Sequence, residues 1–362
     1  MIAKKNEQKS SWPLVGNRHI VDFLSRSIAN NKVASAYIFL GPQDLGKTTL
    51  ANFFAKTLLC QNKVKQRGEG ALLPCGNCAS CRAFNKILAG STLEKEDSSD
   101  IAHGDFHFVK REEDKKNISI EQIRIFINDL GLSSFFGSYK VGIIKEAESL
   151  SIEAANALLK TLEEPKEKVV IVLVADNLES IPQTIVSRSQ VLNFYPVKTD
   201  IIHDYLVEEK KVSRGMAKNF SRICLGRPAL ATKFLEDKDF YKDYLEKANI
   251  FLSFGGQDIN ERLEGMGKLI GPNAYGQEYS QLALKILEIW QGVARDLLLL
   301  DFGREDLIQH QAVSEELNKQ KLKFGRSAGE FLKIIKNLEK GKRYVKANVN
   351  PRLVLENIAV NI

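Results

Sequence analysis

Apolar residues in the first half of the chain fall into two alternating patterns. Short runs at residues 36–40, 106–109, 141–144 and 169–174 are apolar on both faces, as strands buried inside a parallel sheet must be. Between them the apolar positions recur every three or four residues. Ile120, Ile123, Phe126, Ile127 and Leu130 form one helical stripe, with Ser119 and Gln122 spaced as a capping box at its start. Ile152, Ala155, Leu158, Leu159 and Leu162 form another, which Pro165 closes. A further helix is predicted over residues 48–59, directly after a Gly-rich turn. Strands alternating with helices predict an α/β domain built on a parallel sheet.

Strand signals stop after about Tyr195. Residues 198–235 suit a small helical unit and residues from about 237 to 362 a helical bundle, with Gly255-Gly256 and Gly271-Pro272 as loop punctuation. Residues 94–100 read as a short polar loop. Three domains are therefore expected, at 1–195, 196–236 and 237–362.

The composition of the 362 residues, 44% hydrophobic and 27% charged, excludes a mostly disordered chain. The longest wholly apolar run, Val169–Ala175, is far below the ~18 residues that suggest a membrane span. Residues 1–11 are Lys-rich and lack the apolar core of a secretory signal, so a cytoplasmic protein with no membrane partner is expected. The net charge of +7 matches the surplus of residues 321–362, where ten Lys and Arg face three Glu. Such a terminus fits a nucleic acid or acidic partner, and equally a solvated Lys-rich helical face.

Gly41-Pro42-Gln43-Asp44-Leu45-Gly46-Lys47-Thr48 fits G-x-x-x-x-G-K-[ST] between a predicted strand and a predicted helix. Glycines let backbone N–H groups wrap phosphates, Lys47 places a point charge near the β/γ oxygens, and Thr48 offers a hydroxyl to Mg²⁺. Gly41, Gly46, Lys47, Thr48 and Thr49 are thus the candidate binding residues for ATP with Mg²⁺. Hydrolysis needs more. The strand at 141–144 runs into Lys145-Glu146, and Lys145 stands where an Asp would hold the metal. Glu146 is left either as a water-orienting base or as part of a solvated acidic loop.

Cys60, Cys75, Cys78 and Cys81 bring four thiols into one connection, and a Cys₄ shell suits a structural Zn²⁺. Zinc is favoured over ordinary reduced cysteines and over an iron–sulfur cluster. The module at 60–81 would then fold against the phosphate-loop domain. Cys224 stands alone and reads as a small buried residue. His103 and His107, on either side of Asp105, read as loop residues, since the cysteines already fill a shell.

Together these features resemble the clamp-loader ATPases of the bacterial replicative DNA polymerase III, over nearly the whole chain. Trp12-Pro13-Leu14-Val15-Gly16 is similar to the family's start. Residues 36–42 look like its phosphate-loop lead-in, and residues 156–165 like its helix after the second acidic motif. Ser187-Arg188-Ser189 resembles its Ser-Arg-Cys motif, with Ser189 in place of Cys, and residues 348–356 resemble its C-terminal helix signature. The resemblance implies an AAA+-type α/β domain with a zinc module, a small helical lid and an all-α C-terminal collar. It implies a pentameric ring with gamma/tau and delta subunits, acting on the sliding clamp and primed DNA.

Within that family the gamma/tau motor keeps an Asp-Glu pair, where this chain has Lys145-Glu146. The motor's sensor position after the next strand is usually Thr-Thr, and Ala175-Asp176-Asn177 stands here. Its second sensor Arg, three residues after a Gly, would fall on Ala229, while Arg227 lies in a Gly-Arg-Pro run. These departures and the chain's length resemble the delta-prime branch, with weak or no ATPase activity of its own. The intact phosphate loop leaves nucleotide binding open. Arg188 is then either an arginine finger offered to a neighbouring subunit's ATP or a packing residue. The rivals are an active gamma/tau-type ATPase and a stand-alone DNA-binding protein.

Overall fold

Five strands make one sheet in this computed structural model, which describes residues 12–65, 72–89, 103–112, 115–270, 276–324 and 327–362. They are β1 (Ala36–Leu40), β4 (Phe106–Val109), β5 (Lys140–Lys145), β6 (Val169–Ala175) and β7 (Gln190–Asn193), all parallel, in the order β4-β5-β6-β1-β7. A two-residue antiparallel pair, β2 (Val64–Lys65) and β3 (Leu72–Leu73), stands apart from it. The polar loop expected at 94–100, the Gly271-Pro272 pair and residues 1–11 lie outside the described residues.

The inner strands are largely apolar because the sheet has a core on each face. Tyr37, Phe39, Val141, Ile143, Val170, Val172 and Val174 point to one side. There they meet α1 (Arg18–Ala29) and α2 (Lys47–Leu59) through Ile20, Leu24, Leu50, Phe54 and Leu58. Their sequence neighbours Ala36, Ile38, Ile144, Ile171 and Leu173 point to the other. These pack on α4 (Ile120–Gly131) and α5 (Ile152–Glu163) through Ile123, Phe126, Leu130, Ala155 and Leu158. The period-2 alternation of strands thus feeds two layers of helices. The capping box expected at Ser119 and Gln122 is present, and α5 stops two residues before Pro165. Strand β7, with only two apolar residues in four, escaped the periodicity reading; it is the sheet's edge and needs to bury little. Two further helices complete this half, α3 (Ala79–Ala89) and the short α6 (Gln183–Val186).

The remainder is helical among the described residues. Helices α7 (Thr199–Glu208), α8 (Arg214–Ile223) and α9 (Pro228–Glu236) are followed by α10 (Lys238–Ser253), α11 (Ile259–Leu269) and α12 (Gln277–Asp301). Then come α13 (Ser314–Phe324), α14 (Ala328–Lys346) and α15 (Pro351–Val360). The 25-residue α12 runs through the core, where Trp290 meets Phe251 and Phe254 and donates its indole N–H to the Lys247 carbonyl at 3.0 Å. By contact the chain divides into two units, Met1–Ile201 with Arg227–Ala229 and Ile202–Gly226 with Leu230–Ile362. Cys224, fully buried at the end of α8, directs its thiol to the Ser221 carbonyl. No described helix is long and apolar enough to cross a membrane.

Candidate nucleotide site and cysteine cluster

The phosphate loop joins β1 to α2 at the carboxyl end of the sheet, the usual place for ligands in open parallel α/β sheets. Gly41 has φ +145°, and a Cβ there would lie 2.4 Å from the Phe194 carbonyl oxygen, so no side chain fits. Gly46, at φ +88°, precedes the first turn of α2, where Lys47, Thr48 and Thr49 follow. Lys47 is 5% exposed, and three acceptors saturate its ammonium: the carbonyls of Gly41 and Pro42 (2.7 Å for Pro42) and the Asp176 carboxylate at 2.8 Å. The register of β1 on β6 makes the last contact. Leu40 pairs with Ala175, so the residues just beyond each strand end side by side. At the start of α9, the Ala229 N–H donates to the Asp44 carbonyl at 3.0 Å.

The expected catalytic carboxylate is engaged elsewhere. Glu146, at φ +58° after β5, accepts from Arg111 Nε at 3.1 Å. Lys145 ends β5 with its side chain 44% exposed, 4.0 Å from Glu146. Glu148 has one carboxyl oxygen buried with no hydrogen-bond partner among the described residues. Burial raises its carboxyl above the usual range, and the charges of Asp176 and Glu146 add to the rise. Sequence reasoning missed the Lys47–Asp176 and Arg111–Glu146 pairs. The signal for the first was the acidic residue immediately after the all-apolar β6 run.

Arg188 lies in the turn between α6 and β7. Its guanidinium binds Glu163 Oε1 at 2.9 Å, the Thr184 carbonyl at 3.0 Å and the Ser187 hydroxyl oxygen at 3.2 Å. It remains 37% exposed.

The structure brings Cys60, Cys75, Cys78 and Cys81 together, with their sulfurs all within 4.8 Å of one another. Cys60 caps α2 and Cys81 lies in the first turn of α3, so two helix ends carry the buried pair. Backbone N–H groups point at sulfur: Cys75 N–H at Cys60 Sγ (3.3 Å), Cys78 N–H at Cys75 Sγ (3.4 Å) and Cys81 N–H at Cys78 Sγ (3.4 Å). Burial raises the thiols of Cys60 and Cys81. The Asn77 and Cys78 N–H groups lower that of Cys75. At Cys78 burial opposes the fall, but the Cys81 and Gln61 N–H groups and the neighbouring thiols bring it to about 6. These four residues could hold one metal ion.

His103 and Asp105 sit behind the cluster as buried structural groups. His103 Nδ1 accepts the Asp105 N–H at 3.2 Å, which leaves Nε2 to donate to the Ser80 hydroxyl at 2.9 Å. Ser80 in turn donates to the carbonyl of Leu59, the residue before Cys60. The Asp105 carboxylate, fully buried, accepts from the N–H groups of Phe135 (2.7 Å) and Phe136 (2.8 Å) and from the Ser134 hydroxyl (3.0 Å). Asp105→Asn turns one acceptor oxygen into a donor facing these groups. The substitution should cost about 2–4 kcal/mol, the scale of a broken buried charged hydrogen-bond set, read by urea unfolding of the chain.

A parallel sheet carrying a G-x-x-x-x-G-K-[ST] loop at the carboxyl end of its central strands is a P-loop α/β domain. Residues 16–198 match the family described as "DNA polymerase III, delta subunit", and the chain belongs to that family. It is similar to the DNA polymerase III subunit delta' of Bacillus subtilis, 24% identical over 94% of each chain. It is also 26% identical to the subunit tau of the same organism over 96% of this chain. The chain spans 60% of that tau subunit's length and 34% of that of a Haemophilus influenzae tau/gamma subunit, to which it is 31% identical. A solved gamma subunit-related protein of Thermotoga maritima superposes at a TM-score of 0.41 and 19% identity, over 94% of this chain and 97% of that one; so loose a fit decides nothing about fold.

Proposed function

We propose that this chain is a delta-prime-type subunit of a bacterial clamp loader, acting in the cytoplasm with gamma/tau and delta subunits to place the sliding clamp on primed DNA. The alignment with a delta' subunit across 94% of both chains, within the shared family, carries this reading. In it, the first unit is an AAA+-type domain, the short helices after Tyr195 act as a lid, and the C-terminal bundle forms the collar. Residues Gly41, Gly46, Lys47, Thr48 and Thr49 would hold phosphates, and Cys60, Cys75, Cys78 and Cys81 a structural Zn²⁺. Zinc would supply a fixed tetrahedral crosslink and no reaction step.

Arg188 fits a finger offered to a neighbour. It precedes β7, whose first residue Gln190 pairs with Tyr37, while the chain's own phosphate loop follows Leu40. Three residues of strand, ~10 Å, separate those levels, so a finger here would serve the nucleotide of another subunit.

The rival, an ATP-hydrolysing gamma/tau-type motor, is favoured by the complete phosphate loop. Against it stand Lys145 in the metal position and Glu146 tied to Arg111. The isolated chain is expected to hydrolyse ATP poorly and Lys145→Asp to strengthen Mg²⁺-dependent nucleotide binding. The chain mixed with gamma/tau and delta is expected to co-elute and restore clamp loading on primed DNA. Robust turnover by the chain alone, abolished by Lys47→Ala, would select the motor reading. Failure to join the complex would remove the subunit assignment.

A further inference from the structure

The geometry points to Asp176 as an internal stand-in for a terminal phosphate, which makes the phosphate loop selective for a nucleoside diphosphate over a triphosphate. The inference rests on the reading of residues 41–49 as a nucleotide site. In a loop of this kind the backbone N–H groups hold the α- and β-phosphates, and the lysine reaches on to the β/γ oxygens. Here the lysine is already matched. Lys47 is nearly buried, and its three donors go to the Gly41 and Pro42 carbonyls and to Asp176 Oδ1 at 2.8 Å.

The Asp176 side chain is 31% exposed, so the carboxylate that holds the buried ammonium is itself in reach of solvent. A diphosphate lies on the backbone N–H groups and asks of Lys47 only a β-oxygen contact, which a donor now on the Gly41 or Pro42 carbonyl can make while Asp176 stays in place. A triphosphate must take Lys47 from Asp176 and then sit beside the displaced carboxylate. Glu148 stands close by: burial, and after it the Asp176 charge, raises its carboxyl, and its buried Oε2 has no partner among the described residues. Two cations near the ends of β4 and β5 are themselves drawn to a carboxylate: Arg111 is turned to Glu146, and Lys145 lies against the same glutamate.

Binding of fluorescent ADP and of fluorescent, non-hydrolysable AMP-PNP to the full chain tests this, with and without Mg²⁺. The unaltered chain should bind ADP at least about tenfold more tightly than AMP-PNP, the scale of one unscreened like-charge contact. Asp176→Asn keeps the shape and removes the charge. It should tighten AMP-PNP by about tenfold or more and move ADP by less than about threefold. Asp176→Ser should do the same should the asparagine variant fold poorly. Equal binding of both nucleotides by all variants would overturn the selectivity while leaving the phosphate-loop reading standing. Tighter AMP-PNP binding with Mg²⁺, lost in Asp176→Asn, would also overturn it, because the carboxylate would then be a metal ligand. Absence of either nucleotide from both the unaltered chain and the variants would bring down the phosphate-loop reading as well.

Discussion

The purified chain is expected to contain about one Zn²⁺, and Cys78→Ser to lose most of it together with the fold around α3. Four sulfurs at ~2.3 Å from one tetrahedral ion lie ~3.8 Å apart. The four here fall within 4.8 Å of one another, with Cys60 and Cys78 at 4.0 Å, so closing on an ion takes only small adjustments. Without an ion the four thiols are drawn opposite ways, Cys75 and Cys78 toward ionisation and Cys60 and Cys81 away from it. Cys78 is brought to about 6 by the N–H groups and thiols around it, against burial. Burial instead resists ionisation of Cys60 and Cys81. A divalent ion removes that conflict. Binding to a site the unfolded chain lacks becomes folding free energy, ~10–16 kcal/mol in isolated zinc-finger peptides. The effect here should be smaller, since the sheet has its own core. Metal analysis and hydrogen exchange across α3 are the measurements, with Cys224→Ser as the control that keeps its zinc. Metal-free protein, or full zinc in Cys78→Ser, would count against the site.

What could be read from the chain follows the range of the interactions involved. Strands β1, β4, β5 and β6, the stripes of α4 and α5 and the Ser119 box depend on residues within a few positions of each other, so periodicity exposes them. The phosphate loop and the C-x-x-C-x-x-C run are local for the same reason. The edge strand β7 was hidden because its Gln190 and Asn193 face solvent. The partners of the site residues were hidden for a different reason. Lys47 and Asp176 are 129 positions apart and meet only because β6 lies beside β1, an order that composition does not reveal. Asp105 likewise looked like a loop residue between two histidines, yet it anchors a turn some thirty positions further on. The ends of β1, β5 and β6 could be placed, but not their neighbours.

Arg188→Ala is expected to leave the chain folded, with its own nucleotide binding unchanged, and to lower ATP hydrolysis and clamp loading by the assembled complex. The guanidinium is on the surface and its partners are too: Glu163, at 2.9 Å, is 49% exposed. An exposed pair of this kind contributes roughly 0–1 kcal/mol, so little stability is lost with it, and little is needed to release it toward a phosphate. A guanidinium is planar, always charged and able to grip two oxygens at once. Beside a γ-phosphate it stabilises transition-state charge, and such fingers are worth ~10³–10⁵ in rate in GTPases. A ring with several sites shows less, because only the site facing this subunit loses its finger. Arg188→Lys should rescue poorly, since an ammonium cannot reproduce the fork. Glu163→Gln separates the two roles of the arginine. It frees the guanidinium without removing it, so a finger predicts an unchanged or faster complex, whereas a packing residue predicts the same small loss of stability from either side of the pair. Hydrolysis and loading by the reconstituted complex, alongside urea unfolding of each variant chain, give the answer. A complex that assembles with Arg188→Ala and loads clamps at the unaltered rate would leave Arg188 as a packing residue that closes the turn before β7.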